Sequence, residues 1–294
     1  MNRVTYERYS VEHPWRAGRV QCELVSPAVH CDEAAPVVSI GNGYGAGIEE
    51  MRTLAVHLAT RLHRPVQTYD DPRVEAALLD PLEFRRQTRE VVLRSLGDRS
   101  VTLLGWSTGG LVDTWVARDH IDPESPTHDE LRIAAKMTLG MAGVVNFQRP
   151  LKLARQGSFE VLRAPLRRID AHVARVAMVN SARYFGSATK IKLAAREVEQ
   201  LSRISVTDDI QQIIRSGAFP YKAVTFEYDG IFPASVSRQI FHEAGIGSAY
   251  HTVLRGFSHI DLAWRTEAME RVAYLLEDLE LQRDADDLGD AINL

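Results

Sequence analysis

Apolar and polar residues in the first part of the chain change from strand-like to helix-like spacing and back. Residues 4–11 and 19–26 alternate apolar with polar positions, which predicts an antiparallel hairpin. Residues 36–40 form a continuous apolar run, typical of a buried strand, and residues 49–61 place apolar side chains on one helix face. The same alternation predicts further strands at 65–69, 101–104, 132–145, 223–228 and 249–254, and further helices at 81–96 and 266–281. We therefore expect an α/β fold with a mostly parallel eight-stranded sheet and helices on both faces.

The alternation of strand and helix stops between residues 147 and 217. This segment has helical patterns and no strand pattern, so we interpret it as an insertion between two strands of the sheet. Because it follows the carboxyl end of a strand, we expect it to cover that edge of the sheet as a lid. The predicted organisation is an α/β core of residues 1–146 and 218–294, with a helical lid of residues 147–217.

Composition places the chain among ordinary globular proteins. Its 294 residues are 45% hydrophobic and 25% charged, with a formal net charge of -4, so no basic excess points to nucleic acid. Cys22 and Cys31 are too few for a disulfide framework, which favours a reducing compartment. The first ten residues lack the apolar run of a secretory signal, and no apolar stretch is long enough to span a bilayer. We expect a cytoplasmic protein.

The predicted lid is basic, in contrast to the rest of the chain. Residues 149–199 contain eleven Lys and Arg against four Asp and Glu, a local excess of seven positive charges. Such a surface could attract an anionic substrate or an acidic carrier protein. A solvated helical face without any partner fits the same pattern equally well.

The candidate for chemistry is Gly105-Trp106-Ser107-Thr108-Gly109, which directly follows the strand predicted at 101–104. A helical pattern of apolar residues comes after it, so the pentapeptide has the strand–turn–helix context of a nucleophile elbow. Strand and helix pass close together at such a turn, and Gly105 and Gly109 leave the necessary space. We expect Ser107 to be a nucleophile at the carboxyl edge of the sheet.

A serine hydroxyl needs a base within hydrogen-bond reach and an acid that orients the base. Asp229 follows the strand predicted at 223–228, and His259 lies in the loop after the strand predicted at 249–254. Both therefore lie at carboxyl ends of strands, in the chain order Ser, Asp, His that this architecture uses. The competing residues are less well placed, because they lie within a strand or helix, at the start of a strand, or in the lid: Glu227, His242, His251, Asp208 and Asp209.

The oxyanion of an acyl-transfer reaction needs backbone N–H donors. We expect one from Thr108, directly after the nucleophile, and another from the loop at 41–47, which has four glycines in seven residues. Tyr44 is the first candidate in that loop and Gly43 the second. A phosphate loop is the alternative, but the sequence has neither the terminal Lys-Ser/Thr nor the dinucleotide glycine spacing. No cluster of Cys and His suggests a metal, so we expect no cofactor.

Taken together, these residues resemble the α/β-hydrolase superfamily over the whole chain. The resemblance implies the superfamily fold with a lid, a Ser107, Asp229 and His259 triad, and backbone oxyanion donors. Asn42 and Gly43 occupy the place where many members carry His-Gly.

A finer resemblance concerns residues 142–149, which enter the lid, together with the spacing to Asp229 and His259. They are similar to the acyl-transferase component of bacterial bioluminescence, which releases fatty acyl groups from acyl carrier protein. That family has Ala-x-Ser-x-Ser at its elbow, where this chain has Gly-x-Ser-x-Gly.

These expectations combine into a serine hydrolase that cleaves an acyl ester or thioester through an acyl-enzyme. The substrate would be a small molecule, free or bound to a carrier protein. Two alternatives stay open. The same triad could transfer the acyl group or cleave a carbon–carbon bond, and some proteins with this fold bind ligands with little turnover.

Overall fold

The computed structural model describes residues 4–15, 18–43, 46–128, 130–140, 187–201, 203–229 and 232–292, the last ten through their backbone alone. Eight strands form one sheet in the spatial order β1-β2-β4-β3-β5-β6-β7-β8. The strands are β1 (Val4–Glu12), β2 (Arg19–Pro27), β3 (Val37–Gly41), β4 (Val66–Tyr69), β5 (Val101–Trp106), β6 (Ile133–Leu139), β7 (Tyr221–Phe226) and β8 (His251–Leu254). The helices are α1 (Ile48–Leu62), α2 (Pro81–Arg94), α3 (Thr108–Ile121), α4 (Ala188–Leu201), α5 (Thr207–Ser216), α6 (Ala234–Glu243) and α7 (Thr266–Ile292).

The sheet is parallel except at one side. β1 pairs with β2, and β2 with β4, in antiparallel fashion, whereas every pair from β4 through β3, β5, β6 and β7 to β8 is parallel. The predicted hairpin and the predicted mostly parallel eight-stranded sheet are both confirmed. Parallel strands carry their carboxyl ends to one edge, so the segments that follow β3, β5, β7 and β8 all begin at that edge.

Helices cover both faces of the sheet, as the alternation predicted. α1 and α7 pack on one face in a core that includes Leu54, Leu58, Leu276 and Ile40. On the other face, α2, α3 and α5 pack with β5 and β7 in a second core. Every residue of β3, β5 and β6 is buried, which explains why these strands read as nearly continuous apolar runs.

Strand ends near the carboxyl edge differ slightly from the sequence expectation. β7 covers 221–226 rather than 223–228, because Phe226 is the last residue paired with β8, opposite Leu254. Glu227 therefore lies just beyond the strand, where its N–H donates to the Leu254 carbonyl over 3.0 Å. β8 begins at His251, since residues 248–250 form a 3-10 turn. α7 continues to Ile292, past the predicted end at residue 281.

Part of the predicted lid lies among the described residues. α4 packs on α2 and on the 3-10 helix Glu75–Leu78, with Leu193 buried against Ala77 and Phe84. α5 packs along α3. The boundaries at 147 and 217 stay a prediction, because residues 141–186 lie outside the described residues. Most of the basic segment 149–199 also lies there.

Within the described part of the chain, no helix combines the length and the apolar character needed to cross a bilayer.

Candidate active site

Ser107 occupies a sharp turn between β5 and α3. Its backbone has φ 56 and ψ -125, a left-handed conformation that is costly for a residue with a Cβ. The flanking glycines permit the turn: a Cβ added at Gly105 would lie 2.5 Å from Gly110 Cα, and one added at Gly109 would lie 2.2 Å from the Gly41 carbonyl oxygen. Both distances are far below van der Waals contact, so neither position accepts a side chain without a shift of the backbone.

Asp229 and His259 are hydrogen-bonded to each other in the loops that follow β7 and β8. Asp229 Oδ2 lies 2.8 Å from His259 Nδ1, and both side chains are buried. The second carboxylate oxygen, Oδ1, accepts the Phe232 backbone N–H over 2.7 Å. A carboxylate held in this way accepts a hydrogen bond from the Nδ1–H group, so it fixes both the orientation and the tautomer of the His259 ring.

The imidazole of His259 lies beside the elbow. Trp106, the residue before Ser107, stacks on it with ring centroids 5.6 Å apart, and its indole N–H donates to the His259 carbonyl over 3.2 Å. On another side, a Cβ added at Gly140 would lie 2.7 Å from His259 Nδ1. Gly140 follows Leu139, whose carbonyl accepts the Ser107 N–H over 2.8 Å. The elbow and the imidazole therefore share the same small region of the carboxyl edge.

The glycine-rich loop after β3 touches the elbow directly. A Cβ added at Gly43 would lie 3.2 Å from Ser107 Cβ and 2.9 Å from the Trp106 ring. Thr108 is the first residue of α3, so its N–H is among those that a helix leaves without an intrahelical partner. Tyr44, the first candidate for a donor from the loop, lies outside the described residues.

No family model matches the chain, and a search of curated proteins finds no match. Solved structures do match it. A membrane phospholipase A described as a bacterial virulence factor has 16% identity over 93% of this chain and 86% of that one, with a TM-score of 0.63. A hydrolase from Pseudomonas aeruginosa has 16% identity over 92% and 97% of the two chains, with a TM-score of 0.61. A highly thermostable carboxyl esterase from Bacillus coagulans has 12% identity over 94% and 99%, with a TM-score of 0.61.

The chain has the α/β-hydrolase fold. At identities this low the likeness establishes the fold alone, and it confirms the α/β-hydrolase fold expected from the sequence. The finer resemblance to the bioluminescence acyl-transferase component stays a prediction, and residues 142–149, which carry it, lie outside the described residues.

The competing acids and bases named from the sequence lie elsewhere. His251 Nε2 is 2.9 Å from Thr225 Oγ1, and burial lowers the pKa of its imidazole to about 4. His242 is exposed on α6. Glu227 accepts the Gly256 N–H over 2.8 Å, and Asp209 lies 3.9 Å from Arg118 on the outside of α3. None of them is hydrogen-bonded to His259 in the way that Asp229 is.

Buried charges behind the elbow were missed by the sequence analysis. Arg89 Nε donates to Asp113 Oδ1 over 2.6 Å, and both side chains are completely buried. Arg85, one turn earlier on α2, is buried as well. A signal was present in the sequence, since Arg85 and Arg89 share a helix face with the apolar residues Leu82 and Val92. An arginine on the inward face of a helix indicates a buried partner.

Among the described residues, no three His, Cys, Asp or Glu side chains converge into a group that could hold a metal ion.

Proposed function

We propose that this protein is a serine hydrolase that cleaves an acyl ester or thioester, with Ser107 as nucleophile, His259 as general base and Asp229 as the residue that orients His259. The observation that carries the proposal is the buried 2.8 Å contact between Asp229 and His259 beside the strained elbow at Ser107. Strain at a serine is costly and persists at sites where the surrounding structure enforces it, which is typical of nucleophile elbows. The names phospholipase A and carboxyl esterase among the similar structures support an ester as substrate.

The proposed reaction has two halves. Ser107 Oγ attacks the substrate carbonyl carbon while His259 Nε2 takes the hydroxyl proton, and Asp229 stabilises the imidazolium that forms. The tetrahedral intermediate collapses to an acyl-enzyme, and His259 returns the proton to the departing alkoxide or thiolate. Water then repeats the attack with His259 as base, which releases the carboxylic acid and restores the Ser107 hydroxyl.

The negative charge that develops on the carbonyl oxygen needs fixed donors. We assign them to the backbone N–H of Thr108 and to the loop after β3, through Tyr44 or Gly43. The close packing of Gly43 on Ser107 supports the loop as the second source. Donors of this kind contribute several kcal/mol to transition-state stabilisation, because they are oriented before the charge appears.

We further propose that residues 147–217 form the lid and that its basic part selects the substrate. The excess of positive charge at 149–199 favours an anionic acyl compound or an acidic carrier protein. Raising the salt concentration would then increase KM for a carrier-bound acyl thioester and leave KM for a neutral short-chain ester unchanged.

Covalent labelling with a fluorophosphonate tests the nucleophile. The wild-type protein is expected to be labelled at Ser107, and Ser107→Ala is expected to lose the label. Ser258→Ala is the matched control, because Ser258 is adjacent to His259 and has no part in the proposed chemistry. Asp229→Asn should keep the fold and lower kcat on a p-nitrophenyl ester by about 10³- to 10⁴-fold, since the His259 tautomer is no longer fixed.

Two results would contradict the proposal: labelling that persists undiminished in Ser107→Ala, or a wild-type protein that neither takes up the label nor turns over short esters. Product analysis with and without an added alcohol or thiol then separates hydrolysis from acyl transfer. Free acid as the main product in the presence of the acceptor supports hydrolysis, and an acylated acceptor identifies a transferase with the same triad.

A further inference from the structure

Arg85 is a buried arginine that binds the backbone of the loop beside Ser107. It lies on α2 with its side chain 4% exposed, and its Nη2 donates to the Asn42 carbonyl oxygen over 2.7 Å. The Gly43 carbonyl oxygen is 3.4 Å from the same nitrogen. These carbonyls belong to the segment between β3 and α1 that the proposed function uses for oxyanion binding. Arg85 therefore holds the outer side of the loop whose inner side packs on Ser107.

Two carboxylates keep Arg85 charged and in place. Asp71 Oδ2 is 2.8 Å from Arg85 Nη2, and Glu197 Oε1 is 4.0 Å from Arg85 Nη1. Burial by itself would lower the pKa of the Arg85 guanidinium, but Asp71 and Glu197 outweigh it and raise the pKa above its ordinary value. A charged donor makes shorter and stronger hydrogen bonds to carbonyl oxygens than a neutral one.

Glu197 connects a second helix, α4, to Arg85. It lies on α4 and is itself almost completely buried, and its other oxygen, Oε2, accepts a hydrogen bond from Arg73 Nη1 over 2.7 Å. α4 follows the undescribed residues 141–186 and precedes α5. The chain of contacts runs from α4 through Glu197 to Arg85, and from Arg85 to the loop.

The geometry of the peptide bond explains how the contact between Arg85 and the Asn42 carbonyl affects the N–H groups of the loop. In a planar trans peptide the C=O and the following N–H point in opposite directions, so a donor that fixes the Asn42 carbonyl also fixes the N–H of Gly43. The loop contains four glycines in seven residues and has little conformational preference of its own. Its N–H directions must therefore be set by neighbouring groups, and Arg85 is a charged group that contacts the Asn42 and Gly43 carbonyls.

We propose that Arg85 is a positioning residue that orients the backbone donors of the oxyanion loop, and that Glu197 links this orientation to the docking of α4. The proposal rests on the proposed function, since it names the residue that arranges the same site. A buried ion pair with a purely structural role would change stability alone. A positioning role also changes the stabilisation of a tetrahedral adduct relative to the binding of the planar substrate.

The experiment compares Arg85→Lys, Arg85→Met and Glu197→Gln with the matched control Arg86→Met. Arg86 is the next residue on α2 and makes ion pairs with Glu83 and Asp119 instead of hydrogen bonds to the described residues of the loop. The measured quantities are kcat and KM on a p-nitrophenyl ester, Ki for a trifluoromethyl ketone that forms a tetrahedral adduct, and amide hydrogen exchange of residues 41–48. The exchange measurement needs no activity.

Arg85→Met and Arg85→Lys are expected to lower kcat by about 10- to 100-fold, part of the cost of losing an oxyanion donor, while KM changes by less than about twofold. Ki for the ketone should rise in proportion to the loss of kcat/KM, and exchange of residues 41–48 should become faster. Glu197→Gln should shift kcat and Ki in the same direction by a smaller factor, and Arg86→Met should shift neither. If Arg85→Met does not fold, Arg85→Lys and Glu197→Gln decide the question.

The inference is overturned if the Arg85 variants lose stability as Arg86→Met does but keep the wild-type ratio of Ki to KM and the wild-type exchange of residues 41–48. A wild-type protein that is inert to the fluorophosphonate counts against the proposed function instead, and the exchange measurement then still shows whether Arg85 orders the loop.

Discussion

Lys136 is a completely buried lysine, and a charged side chain is costly in the interior of a protein. It lies on β6 behind the elbow, where its Nζ donates to Thr138 Oγ1 over 2.9 Å and stands 5.5 Å from the centre of the Tyr221 ring. Burial lowers the pKa of its ammonium group to about 8, and Asp113 opposes that shift while Arg89 adds to it. The charged form of Lys136 therefore destabilises the folded state at neutral pH.

This lowered pKa predicts a specific pH dependence of stability. The ordinary pKa of lysine is 10.5, so between pH 8 and pH 10.5 the unfolded chain keeps the Lys136 proton that the folded protein has released. The contribution of Lys136 to the unfolding free energy must then rise with pH across this window, by an amount on the order of 2 kcal/mol. Lys136→Met lacks the effect, so its stability relative to wild type should fall as the pH rises from 8 to 10.

Urea unfolding at pH 7, 8, 9 and 10 measures this pH dependence of stability. The proteins compared are wild type, Lys136→Met and the exposed control Lys192→Met. Comparing the variants at each pH cancels the titration of every other group. If the unfolding free energies of wild type and Lys136→Met changed in parallel with pH, Lys136 would not be releasing its proton on folding.

The same residues show how far the sequence could predict the site. Ser107, Asp229 and His259 could be named because a motif and two strand ends fix their positions along the chain, and the structure brings Asp229 and His259 together. Arg85 and Lys136 could not be assigned partners, because a buried charge is placed by groups that are distant in sequence. Glu197, for example, is separated from Arg85 by 112 residues, the difference between their numbers.

The docking of α4 depends on hydrogen bonds at the start of α2. Asp80 is the N-cap of α2, and its Oδ1 accepts the Glu83 N–H and also a hydrogen bond from Gln200 Nε2 over 2.8 Å. Gln200 Oε1 in turn accepts the Leu82 N–H over 3.1 Å. One glutamine of α4 thus satisfies a helix N–H of α2 and binds its cap. Contacts of this kind join residues that are far apart in the sequence. The sequence could therefore predict that these segments are helical, but not how the helices pack on each other.

Gln200→Ala is expected to lower the unfolding free energy by about 1–2 kcal/mol, since two hydrogen bonds of roughly 1 kcal/mol each are lost. The amides of residues 188–201 should exchange faster as α4 opens locally more often. Glu199→Ala is the control, because Glu199 is exposed on the same helix and pairs with Arg203 in solvent, so it should change stability by less than about 0.5 kcal/mol. Equal effects of the two substitutions would show that Gln200 does not hold α4 on α2.

The sequence predicted the helix layers on both faces of the sheet, but it did not predict the bounds of every strand. Alternating strand and helix predicts a parallel sheet covered on both faces, and α1 and α7 do cover one face while α2, α3 and α5 cover the other. The end of β7 lies two residues earlier than predicted because its pairing with β8 stops at Phe226, opposite Leu254, and β8 begins two residues later than predicted, at His251. Local patterns therefore set the architecture, and pairing sets the limits of each strand.

Two kinds of contact join α7 to α1 across one face of the sheet. Arg61 of α1 forms ion pairs with Glu270 and Glu277 of α7 at 2.9 and 2.8 Å, but all three side chains are more than a third exposed. Leu276 points into the core beneath them and is completely buried. Exposed ion pairs contribute about 0–1 kcal/mol each, whereas burying a leucine contributes several. Apolar burial must dominate the attachment of α7.

Leu276→Ala is accordingly expected to lower the unfolding free energy by about 2–5 kcal/mol, because it removes buried methyl groups and leaves a cavity between α7, α1 and the sheet. Arg61→Met should lower it by less than about 1 kcal/mol, with a difference that shrinks further in high salt. Tyr274→Ala, on the exposed side of α7, should have little effect. Urea unfolding at low and high ionic strength measures all three. A larger loss for Arg61→Met than for Leu276→Ala would mean that charge pairing rather than burial attaches α7 to the sheet.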